Sequence, residues 1–148
     1  MSTVTSQGRA NKRLGASAES RCKAALMSDG YLVWKSARSL TVADLIAAKP
    51  GEWLLVQVKG GQKVMTHDDW NQLYEIGQML SAGGHAGAFT RVIPVIADWP
   101  ARTTTRWGPM RLRRISGRHA PSSHTWPTEP FSTDEVEEAS RARPGGGE

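Results

Sequence analysis

Four side chains stand out because their types could do chemistry and their spacing sets them on neighbouring elements: Glu19, Asp44, Gln57 and Lys59. Gln57 and Lys59 lie two residues apart in the otherwise apolar run "EWLLVQVKGG", and a pleated strand points such a pair to one side. Asp44 interrupts "VADLIAA", sharing a side with Val42 and Ile46. Glu19 falls on a stripe with Gly15, Cys22 and Leu26, where a carboxylate is costly unless something pairs with it. Singly, each has a plain structural explanation: a solvent-facing strand, a turn, a helix end, a lysine snorkelling from a strand terminus. Together, two buried acids, an amide and an ammonium in a basic chain suit a divalent metal and a phosphate. Hard cations take oxygen ligands. Bound Mg²⁺ acidifies its water and offsets charge on a reacting phosphate, and an ammonium orients that water or stabilises the charge.

The elements that must position these residues follow from periodicity. Residues 1–9 read as disordered. A helix runs from about Arg9 to Ser28, with Gly15, Ala18, Cys22, Ala25 and Leu26 at three- and four-residue spacing and Gly30 as a left-handed cap. Strands are expected at 31–35, 42–48 and from 52 to the Gly60-Gly61 turn, the last two joined by "KPG" as a hairpin. A second helix spans 67–80, with Thr66 as N-cap and Asp68 and Asp69 in its first turn. A fourth strand, 91–99, contains Pro94, which places it near an edge or a bulge. A fifth covers 110–116. From residue 120 proline, serine and acid dominate, which reads as a tail to 148, with a capping-box signal at Ser132 and Glu135. The order is α-β-β-β-α-β-β, an α/β domain over residues 10–119 with a mixed sheet of about five strands between helices.

Charge is distributed in blocks. Residues 1–63 hold ten Lys/Arg against four Asp/Glu, and residues 101–119 hold six arginines and no acid, whereas the stretches 64–100 and 120–148 are net acidic. Basic blocks on a folded domain suit a polyanion. Arg9, Lys12, Arg13, Arg38, Lys63, Arg111, Arg113 and Arg114 are the expected contacts to such a polyanion (DNA, by the resemblance given below), and arginine forks on phosphate position a partner without reading its sequence. A single cysteine excludes an internal disulfide framework and fits a reducing compartment. No run approaches the roughly 20 apolar residues that a membrane span needs, so a cytoplasmic, nucleoid-associated protein is expected. The four histidines are too scattered for a zinc site, and "GGHAG" lacks the strand-to-helix context of a nucleotide loop. Of the six tryptophans, Trp107 and Trp126 fall in loop and tail, and are expected at a homodimer interface.

An acid on the first helix, then an aspartate and a "(E/Q)xK" over a hairpin, resembles the PD-(D/E)xK nucleases, and most of all the archaeal-type Holliday-junction resolvases and their phage relatives. The residues that carry it are Glu19, the loop "SARSLT", Asp44 in "ADLIA", and Gln57 with Lys59 in "VQVKGG". The resemblance covers roughly residues 10 to 97 and implies a restriction-endonuclease-like fold. It implies that Asp44 binds Mg²⁺ (or Mn²⁺) with Glu19 assisting, and that Gln57 and the Val58 carbonyl complete the ligands. Lys59 would position the attacking water, and Ser39 or Ser36 would contact the scissile phosphate. It further implies a homodimer acting on four-way DNA junctions. The family usually carries a glutamate where this chain has Gln57, which leaves one charge fewer for the metal. Two other readings stand beside this one: another nuclease of the same superfamily, restriction-like or repair, and a junction-binding protein that does not cleave.

Overall fold

The computed structural model describes residues 17–36, 42–60, 65–82, 91–120, 122–123 and 125–131. Within them lie a first helix α1 (residues 17–28), strands β1 (Leu32–Lys35), β2 (Leu45–Lys49) and β3 (Glu52–Lys59), helix α2 (His67–Ala82), and strands β4 (Arg91–Asp98), β5 (Arg111–Ile115) and β6 (Thr128–Pro130). The six strands form one sheet in sequence order, antiparallel throughout except for the parallel pair β3–β4. A parallel pair needs a crossover, and α2 supplies it. The fold is α/β with a mixed sheet.

Local chemistry sets the element ends. The α1 terminus closes as a Schellman motif, with Gly30 at φ 91° and Tyr31 N donating to Leu26 O at 3.0 Å. Thr66 Oγ1 caps α2 by accepting from Asp69 N at 3.1 Å. The Pro50-Gly51 turn joins β2 to β3 with Gly51 at φ 80°.

Alternation along β3 divides the core. Leu54, Val56 and Val58 face α1, packing with Ala18, Cys22, Leu26, Leu45, Val95 and Ala97. Leu55 faces the other way, with Val92, Ile96 and Ile115, against Trp70 and Leu73 of α2. The layers are therefore helix, sheet, helix.

Several expectations change. β2 begins at Leu45 rather than residue 42, which leaves Asp44 in a bend just before it. β4 is not near an edge: it lies between β3 and β5. Its proline is tolerated because the register with β5 starts only at Val95. The chain is not a tail from residue 120, since β6 pairs with β5 and makes a sixth strand. His119 is 2% exposed, stacked on His67 with ring centroids 4.0 Å apart and tilted against Trp126 at 3.8 Å. Burial and the neighbouring His67 lower its pKa. Trp126 is thus packed within the chain and Trp107 meets Trp99 edge to face at 5.1 Å, and both are half-buried. The exposed aromatics are instead Trp34 and Trp53, in edge-to-face contact at 5.7 Å.

Candidate active site

The site forms where the β2–β3 hairpin opens. The paired register ends at Leu45↔Val56, so β3 runs three residues beyond its partner, through Gln57, Val58 and Lys59. The backbone of those residues needs other partners. Asp44 supplies one: its Oδ2 accepts from Val58 N at 2.8 Å, while its own N–H donates to Val56 O at 2.8 Å. Its side chain thus continues a ladder that its main chain has left. Ser36 N donates to Asp44 O at 3.0 Å, which holds the end of β1 against the same bend.

Gln57 and Lys59 project to the face opposite Val56 and Val58, the α2 side, where their register partners on β4 are Ile96 and Asp98. The amide oxygen of Gln57 is buried with no hydrogen-bond partner among the described residues. An orphaned buried acceptor is costly and wants a donor or a cation.

Glu19 approaches from the other face. The buried stripe of α1 is Ala18, Cys22 and Leu26, so Glu19 flanks the stripe instead of lying on it. It is not a buried acid: its side chain is 23% exposed and pairs with Lys35 Nζ at 3.6 Å. The phase expected from Gly15 was off by about one residue, because small residues constrain the rotation of a helix weakly. Asp44 is likewise half-buried. Both carboxylates act on one group, however. The Cys22 thiol is pushed up to about 12, first by burial and then by the charges of Asp44 and Glu19. That shift marks a negative field between α1 and the open hairpin.

Asp44, Val58 and Ser36 are therefore brought together, with Glu19 on one side of the sheet and Gln57 and Lys59 on the other. Ser39, Arg38, Lys63, Arg9, Lys12 and Arg13 lie outside the described residues. Of the β5 arginines, Arg111 forks onto Asp98 at 2.8 and 2.6 Å and Arg113 reaches the same carboxylate at 3.2 Å. Their charge is partly spent on the sheet. Arg114 turns to the α1 side, opposite Glu129 of β6.

For a divalent cation the donor set is oxygen-only and short of charge. Among the described residues no group of three or more His, Cys, Asp or Glu side chains could hold a metal. The candidate donors are Asp44 beside the main chain of Val58, Glu19 on the α1 side and the orphaned Gln57 oxygen on the α2 side. Those donors are hard oxygens of the kind Mg²⁺ prefers, and Mg²⁺ commonly keeps several waters when one or two carboxylates hold it.

Sequence reasoning missed two features. Arg102 Nη1 donates to Gly60 O at 2.9 Å, fixing the residue that follows Lys59. Glu52, 4% exposed, accepts from Tyr31 OH at 2.5 Å and from Arg91 at 3.1 Å, anchoring the far end of β3. The second was legible in principle, because Glu52 shares the core-facing parity of Leu54, Val56 and Val58. The first had no local signal, being a contact across 42 residues. No protein-family model and no curated protein sequence matches this chain. Among the described residues no helix is long and apolar enough to cross a membrane.

Proposed function

We propose that this protein is a Mg²⁺-dependent, structure-selective DNA endonuclease, of the kind that resolves four-way junctions. The observation that carries the reading is the open hairpin end. There Asp44 accepts from Val58 N–H, Gln57 presents a buried oxygen with no partner among the described residues, and Lys59 follows two residues on. The resemblance to the PD-(D/E)xK nucleases rests on these same positions.

In this reading Asp44 and the Val58 carbonyl would hold the metal, with Gln57 Oε1 approaching from the α2 side and Glu19, on the α1 side, assisting through water. Bound Mg²⁺ supplies an acidified water and neutralises phosphate charge. Asp44 contributes the formal charge of the set, and its bond to Val58 N–H fixes the carboxylate before any ligand arrives. Lys59 donates from its ammonium to the attacking water or to a non-bridging phosphate oxygen. Ser36 is 6% exposed and tied to Asp44 through its main chain, and in this reading it or Ser39 would contact the phosphate. In-line attack of water breaks the P–O3′ bond and leaves 5′-phosphate and 3′-hydroxyl ends.

A four-way junction has two-fold symmetry, and a symmetric dimer would present it with two such sites. The surface that suits a second copy is the group Leu32, Trp34 and Trp53, on sheet that α2 does not cover. Leu32→Asp with Trp34→Ser should convert a dimer to a monomer by analytical ultracentrifugation; a wild-type monomer at micromolar concentration rejects the dimer.

The deciding experiment is cleavage of four-way, flap and linear DNA in Mg²⁺ or Mn²⁺, with Asp44→Asn and Lys59→Ala as controls. Junction cleavage lost in both variants is expected. Equal turnover in wild type and both variants sinks the site assignment. The shortage of charge at Gln57 favours one rival, a junction-binding protein that does not cut. If the natural chain is inert and Gln57→Glu alone cleaves, that rival is correct.

A further inference from the structure

Arg111 and Arg113 of β5 are engaged by Asp98, whereas Arg114 has no ion pair among the described residues, and further cations remain for a polyanion. Arg91, Arg111, Arg113 and Arg118 each pair with a carboxylate: Glu52, Asp98, Asp98 and Glu75. Arg21, Arg102 and Arg106 pair with no carboxylate among the described residues. They come from two distant parts of the chain, yet two of them meet on one indole. The guanidinium of Arg21, on α1, stacks over Trp107 at 4.5 Å from the ring centroid, and that of Arg102 stacks over it at 4.3 Å. Arg106 is exposed in the turn between Arg102 and Trp107, which is closed by Thr103 N donating to Arg106 O at 2.8 Å and Arg106 N to Thr103 Oγ1 at 3.0 Å.

We propose that Arg21, Arg102 and Arg106, organised around Trp107, form a nucleic-acid backbone contact beside the candidate active site. Stacking on an indole fixes the plane of a guanidinium, and the exposed Arg21 keeps its edge donors for phosphate oxygens. Arg102, with Nη1 bonded to Gly60 O and Nε buried, anchors the loop and adds charge. Three charges with no carboxylate partner among the described residues, within one loop and the facing helix, give the complementary field. The bond from Arg102 to Gly60 O places the cluster next to Lys59, so a strand held here passes the open hairpin. The proposal rests on the nuclease reading for its choice of DNA as the polyanion. Contacts of this type carry no base readout, which matches recognition by shape.

The test is binding without cleavage, in EDTA, by fluorescence anisotropy with a labelled four-way junction and a linear duplex of equal length. Arg21→Glu and Arg106→Glu are suitable variants because both side chains are exposed. Arg118→Glu is the control for bulk charge, since Arg118 already pairs with Glu75. Each of the two test variants should weaken junction binding about tenfold at ~0.1 M salt and reduce the slope of log K against log salt by about one. Their thermal midpoints should match wild type, and Arg118→Glu should bind nearly as wild type does. Wild-type affinity in Arg21→Glu and Arg106→Glu overturns the proposal, as does an equal loss in Arg118→Glu. Competition by poly-glutamate as effective as that by duplex overturns the choice of nucleic acid. Arginine-dependent binding in a chain that never cleaves leaves this surface standing and sinks the catalytic reading, so the two failures are distinct.

Discussion

At the scale of single residues, Asp44 does two separable things. Its Oδ2 satisfies Val58 N–H, and its charge helps push up the Cys22 thiol. Asp44→Asn keeps an acceptor oxygen and removes the charge, so folding stability should change little while cleavage falls at least about a hundredfold. Asp44→Ala removes both, leaving a backbone donor unsatisfied, and should cost a further ~1–3 kcal/mol in urea unfolding. Equal stability of the two variants would show that the Val58 bond contributes nothing. Cys22 gives a prediction with a definite sign. Its folded pKa, raised to about 12 from the ordinary thiol value of 9.0, means that the unfolded chain loses the proton first. Stability should therefore fall as pH rises above about 9, at up to about 1.4 kcal/mol per pH unit. The thiol should also resist iodoacetamide at pH 8 until the protein is unfolded. Cys22→Ala should flatten the alkaline limb; an unchanged slope would reject the assignment. Tyr31, whose pKa is raised by burial and by its bond to Glu52, adds a similar loss only above its own unfolded value. The window from pH 9 to 10 therefore isolates Cys22.

At the scale of elements, α2 and β4 are joined at a position where intrinsic propensity gives the wrong answer. Gly77 lies in the middle of α2, and a glycine there costs about 1 kcal/mol relative to alanine. A Cβ at this position would stand 2.8 Å from Pro94 Cδ and 3.2 Å from Pro94 Cγ. The proline ring cannot swing aside, so α2 would have to move off the sheet at a cost of about 1–3 kcal/mol. Gly77→Ala should be neutral to destabilising by up to ~2 kcal/mol in urea unfolding, where propensity alone expects a gain; measured stabilisation would mean that α2 shifts freely. This contact also explains what the sequence conveyed at this level. Helix α2, its Thr66 cap and the parity of β3 were legible because each depends on neighbours within a turn or a strand. The phase of α1, the start of β2 and the interior place of β4 were not. Small residues leave a helix stripe ambiguous, and a proline in a strand does not reveal which of its neighbours begins late.

At the scale of the molecule, composition misled most at the C-terminal end, and the error is testable. Proline, serine and acid after residue 119 suggested a solvated tail, yet the described part of that stretch closes the α2 face. Trp70 Nε1 donates to Gly117 O at 3.0 Å, and Asn71 holds both main-chain groups of His119, at 2.7 and 3.1 Å. Trp126 then packs tilted against His119 and lies 4.9 Å from Trp70. Beyond it, Ser116 N donates to Pro127 O at 3.0 Å and Phe131 N to Leu112 O at 3.1 Å, which pins β6 to β5. Nothing local in the sequence announces this, because the ring cluster joins residues 67, 70, 119 and 126 across the whole second half of the chain. A chain ending at residue 119 keeps every residue that the sequence assigned to the domain, and by that reading it should be as stable as the full chain. By the structure it should lose about 2–4 kcal/mol, somewhat under the cost of deleting a fully buried tryptophan because Trp126 is half-buried. Trp126→Ala in the full chain should reproduce much of that loss. Unfolding followed by far-UV circular dichroism decides between them, since the signal does not depend on the tryptophan removed. Coincident urea midpoints for the full and shortened chains would return residues 120–131 to the tail.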